Sequence, residues 1–282
     1  MKRLAFMAVA LFALIFALGC TGGDKTEEAG TGQGYSMTVS PTDTITGSPV
    51  TIDLRLENIF DKDMTGVTVR MKDVSSIYNK DGELTTGTTI IKGQTYPVIM
   101  TLSSDRAGTI SGKHVEVCFD YDTEYYFDIG LKSKSQAAEE LAVESGASSG
   151  PLGVAVVGLE NVFYENLKGT GALTLSNEWQ GTIKEIKSVS AEFPVGSYVR
   201  SGAISISGCT GTTAGGVTTV KSTDTGCSIL SNDVAIANGL TLRTEVDVNA
   251  TQTALTVERT VGNVIYNYCY DIDLPTLTIK SV

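Results

Sequence analysis

The sequence contains few of the side chains on which most enzymes depend. It has a single histidine, His114, and a single tryptophan, Trp179. One histidine cannot form a clustered zinc site or act downstream of a nucleophile, so we expect neither zinc binding nor histidine-dependent catalysis. The only G-x-S-x-G match surrounds Ser148 in a Ser/Gly-rich stretch, with His114 upstream, whereas a hydrolase elbow needs a strand-to-helix turn and a downstream histidine. The sequence therefore predicts no catalytic residue, no metal ligand and no cofactor.

Basic residues are also scarce. The chain has 21 Lys and Arg against 32 Asp and Glu, a net charge of −11. Nucleic-acid binding depends on neutralising phosphates, so a nucleic-acid partner is not expected. No basic cluster follows the N-terminal apolar segment, so electrostatic attraction is not expected to hold the chain to a membrane.

The long apolar run of the chain is at its start, Leu4 to Leu18, directly after Met1-Lys2-Arg3. Fifteen residues fit a signal peptide (1–19) better than a spanning helix, which needs about twenty. The following Ala17-Leu18-Gly19-Cys20 resembles the lipobox of prokaryotic lipoproteins, with Ala17 where Leu is usual. The resemblance implies cleavage before Cys20 and attachment to membrane lipid through that cysteine. An uncleaved helical anchor is the alternative, and both place the remaining chain outside the cytoplasmic membrane.

The remaining sequence has the composition and periodicity of an all-β protein. It contains 36 threonines, and β-branched residues favour strands. Apolar residues alternate with polar ones from Val50 to Glu57, and the same period recurs from Val67 and from Val115. Residues 20–34 are predicted to be a flexible tether and 133–152 a linker, in which Gln136–Glu144 is compatible with a short helix.

Three short motifs occur twice in the same order, which indicates two divergent copies of one unit. Their first residues are Leu54, Ile90 and Cys118 in the first copy and Leu173, Ile236 and Cys269 in the second. We therefore expect two domains, 35–132 and 153–282, the second carrying an insertion around 200–230.

These motifs resemble the immunoglobulin-like, cell-adhesion-related (CARDB-like) domains of bacterial and archaeal surface proteins. The L-x-L-x-N strand, the I-x-x-G-x-T segment and the closing C-[FY]-D-x-D strand carry the resemblance over Tyr35–Lys132 and, more loosely, Val154–Lys280. It implies two tandem immunoglobulin-like antiparallel β-sandwiches used for display, adhesion or spacing outside the cell. It supplies no catalytic residue.

Four cysteines follow Cys20. Cys209 and Cys227 bracket a Gly/Thr-rich segment, and we predict a disulfide between them. Cys118 and Cys269 occupy equivalent positions in the two copies, which in tandem repeats usually lie beyond disulfide reach. They could still pair if the domains fold back on each other, pair with Cys209 or Cys227, or remain free thiols.

Two further groups of residues are candidate sites, one for calcium and one for glycosylation. Asp120, Asp122 and Glu124 share a strand face, but Asp122–Glu124 is more simply explained as a hairpin turn than as a calcium site. Asn249-Ala250-Thr251 is a glycosylation sequon, so Asn249 is a candidate for modification in a host that glycosylates exported proteins.

Taken together, these features predict a membrane-anchored surface lipoprotein that acts in adhesion, display or envelope interaction and is not an enzyme. Its partner would be another surface protein or a glycan. Two alternatives remain. One is a solute-binding or enzyme-accessory lipoprotein with its ligand between the domains, for which Trp179 and Phe163-Tyr164 are the candidate contacts. The other is a subunit of a surface filament or envelope layer.

The Cys209–Cys227 insertion allows two interpretations. It could project from the membrane-distal domain as a recognition loop, since loops on a rigid scaffold often carry binding residues. Alternatively, it is a disulfide-pinned hairpin that extends the sheet.

Overall fold

The computed structural model of the protein describes residues 27–32, 34–75, 78–196, 198–206, 208–231, 239–249 and 255–282. The predicted signal peptide and Cys20 lie outside the described residues, as does Ile236 of the second repeated motif. The described residues form an all-β structure of antiparallel sheets arranged as a sandwich, which confirms the predicted fold class.

Among the described residues, the first half of the chain has ten strands and the second half twelve. Those of the first half are β1 (Glu27–Gly32), β2 (Tyr35–Ser40), β3 (Asp43–Ile45), β4 (Val50–Glu57), β5 (Met64–Lys72), β6 (Tyr78–Asp81), β7 (Leu84–Ile90), β8 (Thr95–Ser104), β9 (Gly108–Ile110) and β10 (His114–Lys132). Strand β1 lies within the stretch predicted to be a tether and pairs with β2.

The described residues of the second half contain these twelve strands and three short 3-10 helices. The strands are β11 (Ser145–Ala147), β12 (Leu152–Val157), β13 (Val162–Phe163), β14 (Lys168–Asn177), β15 (Thr182–Glu192), β16 (Val199–Ile206), β17 (Cys209–Thr210), β18 (Thr212–Ala214), β19 (Val217–Lys221), β20 (Leu240–Val248), β21 (Thr256–Asp273) and β22 (Leu277–Lys280). The 3-10 helices are Lys134–Gln136, Tyr164–Asn166 and Ser228–Ser231.

Two smaller sheets share a four-strand order, β2-β4-β8-β6 in one and β12-β14-β20-β16 in the other, and a single large sheet contains strands of both halves. The smaller sheets run β1-β2-β4-β8-β6 and β12-β14-β20-β16-β17. The large sheet, called the shared sheet below, runs β18-β19-β15-β21-β10-β5-β7, with β11 and β13 also pairing with β10. It therefore contains strands from both halves and joins them through β10 and β21.

The pairing of β10 with β21 is the longest in the structure, running from His114 opposite Asp273 to Leu131 opposite Thr256. Opposite residues of an antiparallel pair share a face of the sheet. One face carries buried aromatic rings from both strands, including Phe119 beside Tyr268 and Tyr121 beside Tyr266. These rings belong to one continuous core with the apolar faces of both smaller sheets, so both smaller sheets cover the same face of the shared sheet.

The repeated L-x-L-x-N motifs end their strands in the same way. The Asn58 side chain donates to the Lys62 carbonyl and accepts from the Phe60 amide, while Asn177 makes the corresponding bonds to Gly181 and Trp179. Each asparagine thus stabilises the turn that leads from a smaller sheet into the shared sheet.

The C-terminal strand returns to the first half of the chain. Strand β22 lies between β3 and β9, parallel to the former and antiparallel to the latter. Leu277 and Ile279 are buried there. The C-terminal strand therefore contributes two side chains to the core of the N-terminal half.

Two local predictions are wrong. Asp122–Glu124 is not a hairpin turn, because β10 continues through it and is paired with β21 over its whole length. The helix considered for Gln136–Glu144 does not form; a 3-10 turn ends at Gln136, and Glu144 donates its amide to Asp128. Pairing with β21 keeps Asp122–Glu124 extended, and the bond to Asp128 of β10 holds Glu144 in a non-helical conformation.

Candidate binding surface

The second face of the shared sheet is turned away from both smaller sheets, and we call it the exposed sheet face. The strand register arranges its side chains in rows that cross β10, β21, β15 and β19. Three of these rows are Cys118–Cys269–Thr182, Glu124–Asn263–Ser190–Thr219 and Tyr126–Val261–Glu192–Val217. Every row contains residues from both halves of the chain.

A disulfide between Cys118 and Cys269 crosses this face. The two residues are direct partners in the β10–β21 ladder, with Cα atoms 4.1 Å apart. Of the alternatives that the sequence left open for these cysteines, a bond between the two is the one that forms. Cysteines at equivalent positions of tandem repeats are usually out of reach, but antiparallel pairing of the closing strands brings these two side by side.

Around the disulfide, charged side chains are paired with one another. Glu116 is only 4% exposed and is contacted by the guanidinium of Arg70 and, at 3.5 Å, by Lys72. Lys72 also lies 3.1 Å from Asp271, and this hydrogen bond is the main reason that the pKa of Lys72 is raised. This end of the face has its charges neutralised internally.

Asp120 links β10 to β15 and β21 in the same manner. Its carboxylate lies 2.6 Å from Lys187 Nζ and accepts a 2.9 Å hydrogen bond from the side-chain amide of Asn267. Asp120 therefore connects three neighbouring strands through polar contacts.

Further along the sheet, the exposed face is concave and forms a groove of about 570 Å³. This volume is within the range of ligand sites, about 300–1,000 Å³. The residues lining it are Glu124, Tyr125, Tyr126, Ala147, Ser148, Ser190, Glu192, Val217, Val261, Gly262 and Asn263. The groove lies across strands of both halves.

Gly262 makes room for the buried Tyr125 ring on the core side of the sheet, beneath the groove. A Cβ atom at this position would lie 2.2 Å from the Ser190 carbonyl oxygen and 2.5 Å from the Tyr125 ring. Tyr125 occupies the space and donates a 2.8 Å hydrogen bond to that carbonyl. A larger residue at 262 would displace the ring and separate β21 from β15.

The charged side chains that line the groove are acidic. Glu124 pairs with Lys62 at 2.5 Å, whereas the exposed Glu192 has no ion pair among the described residues. Asp122 is next to this group; it accepts a hydrogen bond from Asn263, and its second oxygen is buried without a partner. Burial raises the pKa of Asp122.

Tyr126 is held in place by a cation. The guanidinium of Arg259 lies 4.4 Å from the centre of its ring and also donates to Asp128 at 2.8 Å. The hydrogen bond from Arg259 is the main reason that the pKa of Asp128 is lowered. An aromatic wall of the groove is therefore stabilised by an ion pair next to it.

Cys209 and Cys227 form the second disulfide. The segment between them contributes the β18–β19 hairpin, which pairs with β15 at one edge of the shared sheet. Of the two interpretations of this insertion, extension of the sheet is the one that this arrangement supports. The hairpin also supplies Val217 to the groove.

The remaining candidates from the sequence lie in ordinary structural surroundings. His114 contacts Asp273 at 2.7 Å, and Ser148 accepts a hydrogen bond from the Glu124 amide. The backbone amide of Asn249 donates to the Tyr198 carbonyl. Trp179 packs against Phe60, with ring centres 4.9 Å apart, and is part of the aromatic contact between the two halves.

Among the described residues, no group of three or more His, Cys, Asp or Glu side chains is arranged to hold a metal ion. In that same part of the chain, no helix is long and apolar enough to cross a bilayer. The two disulfides are typical of a protein that folds in an oxidising compartment.

Sequence reasoning did not identify Tyr126, Glu192, Val217 and Val261 as site residues. The alternation along β10 would have placed Tyr126 on the polar face, but not beside Val261, because the two residues are 135 positions apart and meet only through the β10–β21 register. Searches of known proteins add no assignment: neither a family model nor a curated protein matches the chain.

Proposed function

We propose that the protein is an exported surface lipoprotein, anchored through Cys20, that binds another surface molecule through its exposed sheet face. The single observation that carries the binding role is the groove on that face. It has the volume of a ligand site, an apolar floor and a few convergent polar groups.

Three features support the anchored, extracellular part of the proposal. The apolar run before Cys20 has the length of a signal peptide. The two disulfides fit an oxidising environment. Strand β1 begins at Glu27, so six residues separate it from Cys20 and can extend over at most about 20 Å. A lipid at Cys20 would hold the sandwich close to the membrane surface.

A solute-binding role is the second candidate, and the position of the groove favours it. The groove lies where strands of the two halves meet, as a ligand site between domains would. In this case the ligand would be a small molecule. Trp179, Phe163 and Tyr164 do not line the groove: Tyr164 is buried in the core, and Trp179 is partly buried against it.

Lipid labelling tests the anchor. Cells grown with an alkyne-bearing lipid precursor should label the wild-type protein and the control variant Thr21→Ser, which leaves the cysteine in place. The Cys20→Ser variant should lose the label and accumulate unprocessed or be released. An intact, unmodified N-terminus found by mass spectrometry on the native protein would refute the lipoprotein assignment.

A further inference from the structure

The floor of the groove is an apolar surface that the fold leaves uncovered. Tyr126, Val261 and Val217 belong to one cross-strand row, which spans β10 to β19, a distance of about 14 Å. Val261 is 47% exposed, and Val195, also 47% exposed, lies next to Gly216 at the adjacent end of the β18–β19 hairpin. Contiguous exposed apolar residues rimmed by polar ones mark interaction sites.

The charged side chains that line this floor are all acidic. Glu124 and Glu192 line the groove, and the lining contains no lysine or arginine among the described residues. Lys62 pairs with Glu124 and Arg259 with Asp128, which leaves Glu192 as the lining carboxylate with no ion pair among the described residues. An occupant with basic groups gains complementary contacts here, whereas an acidic one is repelled.

The dimensions of the floor fit an extended peptide. Side chains on one side of an extended chain are about 7 Å apart, so three of them cover the distance from Tyr126 to Val217. Within the row, Glu192 lies between Val261 and Val217. Aliphatic side chains over Tyr126 and Val261 at one end and over Val217 at the other, with a basic one between them at Glu192, would use the whole row. In the adjacent row the Ser190 hydroxyl donates to the side chain of Asn263, whose amide donates to Asp122, so these polar groups satisfy one another.

From this complementarity we infer that the groove binds an extended segment of a partner protein in which every second residue faces the groove and these residues are in turn aliphatic, basic (lysine or arginine) and aliphatic. The inference rests on the proposed function, because it takes the exposed sheet face as the binding surface. It adds the class of ligand and the residues that select it: the two valines bury its aliphatic side chains, and Glu192 pairs with its cation.

Fluorescence anisotropy with three short synthetic peptides tests the inference on the full-length protein in detergent. A peptide with the repeat Leu-Ser-Lys-Ser, called the leucine–lysine peptide, carries leucine and lysine in turn on one side of the extended chain and should bind saturably and lose affinity as salt is added. The corresponding leucine–glutamate peptide, with glutamate in place of lysine, and a serine–lysine peptide, with serine in place of leucine, should bind at least about tenfold more weakly, because each lacks one of the two kinds of contact.

Paired variants localise the binding. Glu192→Gln and Val261→Ser should each weaken the leucine–lysine peptide by about five- to tenfold. The controls Glu140→Gln and Val157→Ser change an exposed glutamate and a 56% exposed valine outside the groove and should have no effect. Circular dichroism of all four variants verifies the fold.

Three results would overturn the inference: no saturable binding of the leucine–lysine peptide, equal binding of the leucine–glutamate peptide, or equal effects of groove and control variants. Preferential binding of a small polyamine or of a glycan at the same residues would also overturn it. Any of these would leave the broader proposal intact if the exposed sheet face still contacts a surface partner in cells.

Discussion

At the scale of single residues, Asp128 links fold stability to the groove. Its carboxylate accepts two hydrogen bonds from Arg259, at 2.8 and 3.1 Å, and one from the Glu144 amide at 3.0 Å. The side chain is 5% exposed, so these bonds are shielded from water. The same guanidinium covers the ring of Tyr126, and loss of the carboxylate would therefore affect both the fold and one groove wall.

Replacing Asp128 by asparagine should lower the free energy of unfolding by about 2 kcal/mol, the usual contribution of hydrogen bonds to a charged group. Urea denaturation followed by circular dichroism measures the change. The matched control is Asp53→Asn, which removes the exposed pair with Arg55 at 3.6 Å and should cost less than about 1 kcal/mol. Equal effects of the two substitutions would show that the Asp128 pair is not stabilising.

The same residue predicts part of the acid sensitivity of the protein. Because Arg259 lowers the pKa of Asp128 below the usual 3.8, its contribution is present above that value and is lost as the pH falls through the lowered pKa. Asp122 changes the stability in the opposite direction. Burial of its charged form raises its pKa, so protonation at low pH removes the free-energy cost of burying that charge. Stability measured between about pH 5 and pH 3 should fall less steeply in Asp128→Asn than in the wild type.

At the scale of elements, the two long strands β10 and β21 hold the halves together, and the Cys118–Cys269 disulfide fixes their register. This bond joins residues 151 positions apart, whereas Cys209 and Cys227 are 18 apart. A disulfide restricts the unfolded chain more when it closes a longer loop. The cross-strand bond is therefore expected to stabilise the fold more than the hairpin bond does.

Removing each bond by a double alanine variant tests this order. Loss of Cys118–Cys269 should lower the free energy of unfolding by about 5 kcal/mol and loss of Cys209–Cys227 by about 3 kcal/mol, in the chain-entropy account. Chemical denaturation of the two variants and of the reduced wild-type protein provides the comparison. An equal or reversed order would show that the native-state contacts of the hairpin, and not loop closure, dominate.

Individual strands were the part of the fold that the sequence predicted best. Strand β4 occupies Val50–Glu57, as its alternation indicates, because one of its faces is buried and the other is not. The Asp122–Glu124 segment misled the prediction because turn-forming residues also occur on the polar face of a strand. Helical propensity in Gln136–Glu144 is likewise overridden by contacts with β10, such as the bond from the Glu144 amide to Asp128.

At the scale of the whole molecule, the repeated motifs predicted two similar halves but not how they associate. The pairing of Cys118 with Cys269 and of Tyr126 with Val261 depends on which strands become neighbours, and no local pattern encodes that choice. The groove was unpredictable for the same reason, since Tyr126, Glu192 and Val217 come from three distant strands. Its two valines, the exposed Val261 and the half-buried Val217, have no local signature that distinguishes them from core residues.

The molecule has two unlike surfaces. One is formed by the outer faces of the smaller sheets, and the other is the exposed sheet face. If the protein binds its partner as proposed, contact should be confined to the second. Val261 and Val157 are both exposed valines, the former on the exposed sheet face and the latter in β12 of a smaller sheet. They are therefore a matched pair of reporter positions.

Site-specific photo-crosslinking in intact cells tests this central claim most directly. A photoreactive phenylalanine analogue is placed at Val261 or at Val157, and crosslinked products are compared after irradiation. We predict a discrete adduct with another surface component from position 261 and none from position 157. An adduct from 157 alone, or equal products from both positions, would contradict the account.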